Sequence, residues 1–219
     1  QDFRNLGGGP TWAGGRGEGI LGAISYIADQ GMNSIYVISL TAHGDGDDVW
    51  PFRDREDLCR YDCSKLDQWR RVFQHANQRG VHVQIVLTET ENEALFEQRE
   101  GVGFFADCRK LYYREMIARF GDLLGVTWNI GEENGWDDWS RTNYRAANND
   151  AQRRAFAAHL QSLDPYDHPI IVHTYHGPRP GQDQDGIYGP LTDPSNPCPA
   201  VDGASMQGPF DPATSVTAP

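Results

Sequence analysis

Val126-Thr127-Trp128-Asn129-Ile130 is a short β-prone run, and it discharges at once into Gly131-Glu132-Glu133-Asn134. Five residues of this composition suit a strand buried in a parallel sheet, because alternation is lost when both faces are covered. The carboxylates then stand at the strand's carboxyl end. Just before it, Arg109 to Phe120 carries a helical pattern closed by Gly121. Just after it, Ala151 to Leu163 carries another, with Asn149 or Asp150 as cap and Pro165 beyond the end.

The same helix-then-strand unit recurs outward in both directions. Upstream, Leu66, Trp69, Val72, Phe73 and Ala76 form one apolar stripe, Ser64-Lys65-Leu66-Asp67 reads as a capping box, and Gly80 stops the helix. Val81 to Leu87 is the next strand and exits into Thr88-Glu89-Thr90-Glu91-Asn92. Earlier still, Ile20, Leu21, Ile24, Ile27 and Ala28 predict a helix capped near Gly31, and Ser34 to Leu40 a strand covered on both faces, exiting at Thr41-Ala42-His43-Gly44-Asp45. Downstream, Ile170 to Thr174 is a strand with the exit Tyr175-His176-Gly177, Pro178 to Pro199 reads as a long loop, and Ala204 to Gln207 as a last strand.

Helices alternating with strands through short links imply a mostly parallel sheet, either a barrel or a doubly wound open sheet. Polar residues gather after every strand, where a barrel builds its site, and no Gly-x-Gly-x-x-Gly joins a strand to a helix. The expectation is one α/β domain over residues 1–219, a (β/α)8 barrel of which five strands are visible and the remainder lie outside. The 219 residues fall short of the roughly 250 of a typical barrel, and the chain opens on Gln1-Asp2-Phe3, so it reads as a processed or partial sequence.

Composition narrows the function classes. A formal charge of −12, with no Lys/Arg cluster, repels phosphate backbones and argues against nucleic acid. No apolar run is long enough to span a bilayer. Cys59, Cys63, Cys108 and Cys198 permit two disulfides in any of three pairings, which suits an extracellular setting. Asp45-Gly46-Asp47-Asp48 lacks the spacing of a calcium loop, no zinc ligand set is present, and no Gly-x-Ser-x-Gly supports acyl transfer. Neither a metal nor a cofactor is expected.

Glycosidic cleavage needs one carboxylic acid to protonate the leaving oxygen and a second carboxylate to attack carbon or activate water. Glu132 and Glu133 stand where a barrel strand fixes the backbone and a cleft tunes the acid. The run from Trp128 to Gly135 resembles the fourth-strand exit of the retaining glycosidase clan, whose barrels carry a Trp and then Asn-Glu, the Glu being the acid/base. That resemblance puts Glu133 in the acid/base position and Glu132 where the clan has Asn. A closer resemblance, over most of the chain, is to a family of secreted glycoside-hydrolase-like barrels flanked by an immunoglobulin-like and a collagen-binding-like domain. It is carried by Asp62 to Trp69, Glu89 to Asn92, Arg109 to Arg114 and Trp128 to Asn134. It implies that the visible strands are the second to the sixth, and that the nucleophile, a Glu on strand seven, lies outside these residues.

Catalysis is therefore assigned to Glu133 and Glu132. Sugar contacts are expected from His43, Glu89, Glu91, Asn134, Trp136, His173, Tyr175 and His176, with Trp139 and Trp50 as further stacking candidates. Glu89 and Glu91, two apart, would face the same side. Carbohydrate is the expected partner, with self-association or flanking domains completing the barrel. The rival reading is a non-catalytic carbohydrate-binding or structural module of an extracellular assembly.

Overall fold

The structure, a computed structural model, describes residues 19–44, 46–135, 148–174 and 184–207. Its elements are α1 (Gly19–Asp29), β1 (Ser34–Ile38), α2 (Cys63–Gln78), β2 (His82–Val86), α3 (Leu95–Glu100), α4 (Asp107–Phe120), β3 (Val126–Asn129), α5 (Asp150–Leu163), β4 (Ile170–Thr174), α6 (Gln184–Thr192) and β5 (Gly203–Met206). The five strands form one parallel sheet in chain order, β1 to β5, each paired with its sequence neighbour. Successive parallel pairs with helical crossovers make an arc of a (β/α)8 barrel.

Side chains prove the curvature. Tyr36 on β1 bonds His173 on β4, Oη to Nδ1, at 3.0 Å, and Gln84 on β2 reaches Ser205 on β5 at 3.3 Å. Strands three places apart in a flat sheet sit roughly 14 Å from each other, beyond the reach of a Gln and a Ser. The sheet must bend toward its concave face.

The two faces differ in chemistry. Val83, Ile85, Val126, Trp128, Ile170 and Val172 point outward and are buried against the helix layer. The concave face carries Tyr36, His82, Gln84, Thr127, Asn129, His173 and Ser205, with His82 bonded to Thr127 at 2.8 Å. β1 is thus covered on one face only, and Tyr36 is 42% exposed. Its apolar sequence reflects five residues too few to distinguish one covered face from two.

Local signals mostly behave as their chemistry dictates. Gly31 and Gly80 take left-handed φ values of 82° and 72° and end α1 and α2. Asn149 caps α5, accepting from Gln152 N while the Gln152 side chain returns to Asn149 N. Three readings need correction. Asp62, not Ser64, caps α2, since its carboxylate reaches Lys65 N at 3.1 Å and leaves Ser64 inside the helix. Residues 184–192, expected as loop, form α6 despite Pro190, with Ile187 and Leu191 buried. One disulfide forms among the described residues, Cys59–Cys108, leaving Cys63 exposed and Cys198 buried as thiols.

Candidate functional site

Strand β3 places the glutamate pair. Leu87 N and Ile130 N continue the ladder past Asn129, to Asn129 O and Ile171 O. Glu132 N then bonds Thr88 O, and Asn134 N bonds His173 O, so the 131–134 turn is stitched to both neighbouring strand exits. Gly131 is required there: a Cβ would stand 2.7 Å from Thr88 Oγ1 and 3.0 Å from Asn134 Nδ2. Glu133 takes a φ of 46°, a conformation that disfavours any side chain beyond glycine or asparagine. Such strain in a residue held by its surroundings is a pointer to function.

Both glutamates are half-buried. The Thr90 hydroxyl stands 3.5 Å from Glu133 Oε2 and 3.4 Å from Glu132 O, at the outer limit of a hydrogen bond. The phenol of Tyr36 registers the convergence. Burial first, then the negative fields of Glu132, Glu133 and Glu89, push its proton affinity well above the usual tyrosine range. Three carboxylates from two strand exits therefore bear on one hydroxyl, and that hydroxyl stays protonated. His173, 9% exposed, is held below the usual histidine range by burial, partly offset by a bond with Gln207, and its Nδ1 pairs with the Tyr36 hydroxyl.

Glu89 is buried at the β2 exit, and its carboxylate occupies the space a Cβ on Gly44 would need, 1.4 Å from Glu89 Oε1. Its N–H bonds Asn92 Oδ1, and Asn92 Nδ2 ties the turn to Leu40 O and Ala42 O. Because Thr90–Asn92 is a 3-10 turn, strand alternation ends before it. Glu89 and Glu91 do not share a face by period two, and Glu91 is itself nearly buried in the turn.

The remaining expected residues divide. His43, also at positive φ, reaches Glu56 at 3.3 Å and Arg99 at 3.4 Å, in a rim cluster with Arg55 and Asp47. Burial and the positive fields of Arg55 and Arg99 lower its proton affinity. The Asn134 carboxamide is fully buried beside Gly131, with no hydrogen bond to either end among the described residues. Trp50 lies under Lys65 Nζ, 5.1 Å from the ring centre. Trp69 and Trp128 are core, and Trp128 Nε1 bonds Asp164. Trp136, Trp139, Tyr175, His176 and Asp45 lie outside the described residues.

Two residues escaped the sequence reading. Tyr36 falls within the apolar strand Ser34 to Leu40, and Glu93 lies one residue past the Glu89 to Asn92 exit that the sequence singles out. Glu93 is fully buried and accepts from Gly135 N at 2.8 Å. Of metal-ligand groupings, Cys59, Glu100 and Cys108 approach one another, but both sulfurs belong to the disulfide and offer no thiolate.

No family model and no curated protein matches the chain. Solved structures do. An endo-1,4-β-mannanase from Rhizomucor miehei aligns at 13% identity and TM-score 0.55, over 85% of this chain and 61% of that one. The GH5_18 protein from Bifidobacterium longum subsp. longum, solved with Manβ1-4GlcNAc, aligns at 12% and 0.54, over 73% and 38%. A Bacteroides vulgatus protein described as of glycoside hydrolase type aligns at 17% and 0.53, over 70% and 31%. The chain spans less than two thirds of the length of each of these structures. At such identities the likeness is one of fold: the curved, helix-backed parallel sheet of this chain is similar to that of barrel proteins named as glycoside hydrolases.

Proposed function

We propose that the chain carries the acid/base side of a glycoside hydrolase site, acting on a polysaccharide or glycoconjugate by a retaining mechanism. The observation that supports this most is the seating of the Glu132-Glu133 turn at the carboxyl end of β3, where its backbone bonds Thr88 O after β2 and His173 O on β4 and Thr90 approaches Glu133 Oε2, with the negative fields of both glutamates and of Glu89 felt by the Tyr36 phenol. Glu133 protonates the leaving glycosidic oxygen and later takes a proton from the incoming water. Glu132, Glu89 and the protonated Tyr36, itself bonded to His173, line the approach of the sugar hydroxyls. The attacking carboxylate belongs to a later strand of the barrel, outside these 219 residues. The solved mannanase and the Manβ1-4GlcNAc complex favour a β-linked hexose substrate. The Cys59–Cys108 disulfide supports an extracellular setting.

The test is Glu133→Gln in the full-length protein against a polysaccharide panel. Turnover should fall on the order of 10²–10⁴-fold, the usual worth of a general acid, with the melting temperature unchanged. NMR of the first-formed sugar should show the anomer of the substrate. Unchanged turnover in the variant, or an inverted first product, removes the assignment. Saturable sugar binding by a wild type that turns over nothing would favour a carbohydrate-binding module instead.

A further inference from the structure

Behind the glutamate turn lies a buried charge network that the proposed chemistry does not use. Arg109 on α4 is fully buried and grips Glu97 on α3 with two nitrogens, Nε to Oε1 at 2.7 Å and Nη2 to Oε2 at 2.6 Å. Its guanidinium lies between the rings of Phe96 and Phe156, 4.8 and 4.6 Å from their centres, and also bonds Glu93 O. The Glu93 backbone is therefore anchored from below.

The Glu93 side chain points the other way, toward the β3 exit. Its Oε1 accepts from Gly135 N at 2.8 Å, two residues beyond Glu133. The Asn148 N–H approaches the same carboxyl, and Asn148 O accepts from Arg153 Nη1 on α5. Gly135 has a φ of 86°, and a Cβ there would lie 2.4 Å from Ile187 Cδ1 and 3.2 Å from Arg153 Nη1, so the backbone is pressed onto this cluster. One carboxyl thus faces both Gly135 and Asn148, the residues flanking the stretch 136–147.

We infer that Glu93 is a positioning residue, a buried clamp whose bond to Gly135 N holds the 131–135 turn so that Glu133 points at the leaving oxygen. The inference rests on the glycosidase reading of Glu133, but the clamp itself does not. Burial raises the Glu93 carboxyl to about 8, against the pull of Gly135 N–H, Arg153, Asn148 and Arg109, with Tyr113 also within its field. At neutral pH it is largely an uncharged acid whose carbonyl oxygen accepts, which an amide reproduces.

Three variants of the full-length protein test this: Glu93→Leu, which removes the acceptor, Glu93→Asp, which withdraws it by one C–C bond, and Glu93→Gln, which keeps it. Amide hydrogen exchange is read at Gly135 and Asn148. Exchange at Gly135 should rise roughly tenfold in Leu and Asp, the equivalent of one lost hydrogen bond, and stay at the wild-type rate in Gln. Turnover is then compared on phenyl and 2,4-dinitrophenyl β-mannosides and β-glucosides. A dinitrophenolate leaves without protonation, so only the phenyl substrates need a well-aimed acid.

In Leu and Asp the phenyl kcat/KM, which reports the protonated step, should fall about 100-fold, the cost of a misplacement near 1 Å, with the dinitrophenyl kcat/KM nearly intact. The dinitrophenyl kcat should fall, because Glu133 must also activate the water. Gln should restore both. Wild-type exchange at Gly135 in both Leu and Asp overturns the clamp, whatever the activity. An equal fall in kcat/KM on both leaving groups overturns the positioning role and leaves a structural one. If Glu133→Gln, run alongside, matches wild type, the glycosidase reading fails while the exchange data still decide the clamp. Should Leu not fold, Asp carries the same readouts.

Discussion

A Cβ on Gly44 and the carboxylate of Glu89 cannot coexist, since they would lie 1.4 Å apart. The missing side chain of one residue makes the seat of another. Gly44→Ala should therefore expel the Glu89 carboxylate from its buried position, costing about 1–3 kcal/mol of stability as overpacking does, and lowering turnover without altering the Glu133 turn. Thermal melts and kinetics check this together; a variant with wild-type stability and rate would show that Glu89 finds a second, equally good seat. At this scale the sequence announces only part of the site. Trp128 to Asn134 stands out because a β-prone run ends in two glutamates at a strand exit and resembles the corresponding exit of the retaining glycosidase clan. Glu93 and Tyr36 do not, because a single polar residue declares its role only through what lies across from it: Gly135 is 42 residues away from Glu93, and His173 137 from Tyr36.

Elements with a strong period were readable, and the exceptions have physical reasons. α3 is Leu95–Glu100, six residues, too short for a 3.6 period to show, and α6 contains two glycines and a proline. α3 is seated by the buried Leu95 and Phe96 together with the Glu97–Arg109 pair beneath it, more than by its own propensity. Burial alone would raise the Glu97 carboxyl, yet the Arg109 charge and hydrogen bonds hold it below the usual range. A buried pair of this kind is worth little against an apolar replacement of both partners, but breaking one partner strands the other. Arg109→Met should thus cost about 3–5 kcal/mol in denaturant unfolding, and Arg109→Met combined with Glu97→Gln should recover part of that. Equal losses in the single and double variants would mean that the stacking of Arg109 on Phe96 and Phe156, rather than its charge, supports α3.

Across the whole molecule the titrating groups oppose one another, and their signs set a stability profile. His43, His82, His159 and His173 are all lowered from 6.5, chiefly by burial. The unfolded chain then binds protons that the folded one refuses, so stability falls as pH drops through 6.5. Asp164, Asp122 and Asp47 are likewise lowered from 3.8 in spite of burial, which opposes the shift, by hydrogen bonds from Trp128, Arg70 and the His43 amide, and add a second loss below about 4. Glu93 runs the other way. Raised from 4.5 to about 8, it binds its proton more tightly when folded, so its contribution is complete below 4.5 and is lost as pH rises to about 8. Between 4.5 and 6.5 the two trends offset each other; above 6.5 the trend of Glu93 continues alone among these groups. The melting temperature should accordingly be highest near pH 6 and decline toward pH 8, by an amount on the order of a few kcal/mol in stability. Glu93→Gln, which keeps the bond to Gly135 but cannot ionise, should abolish the decline above 6.5 while leaving the acid limb intact. A wild-type profile flat from 6.5 to 8.5, or an unchanged slope in the variant, would place the responsible group elsewhere and make Glu93 a permanently charged member of the network.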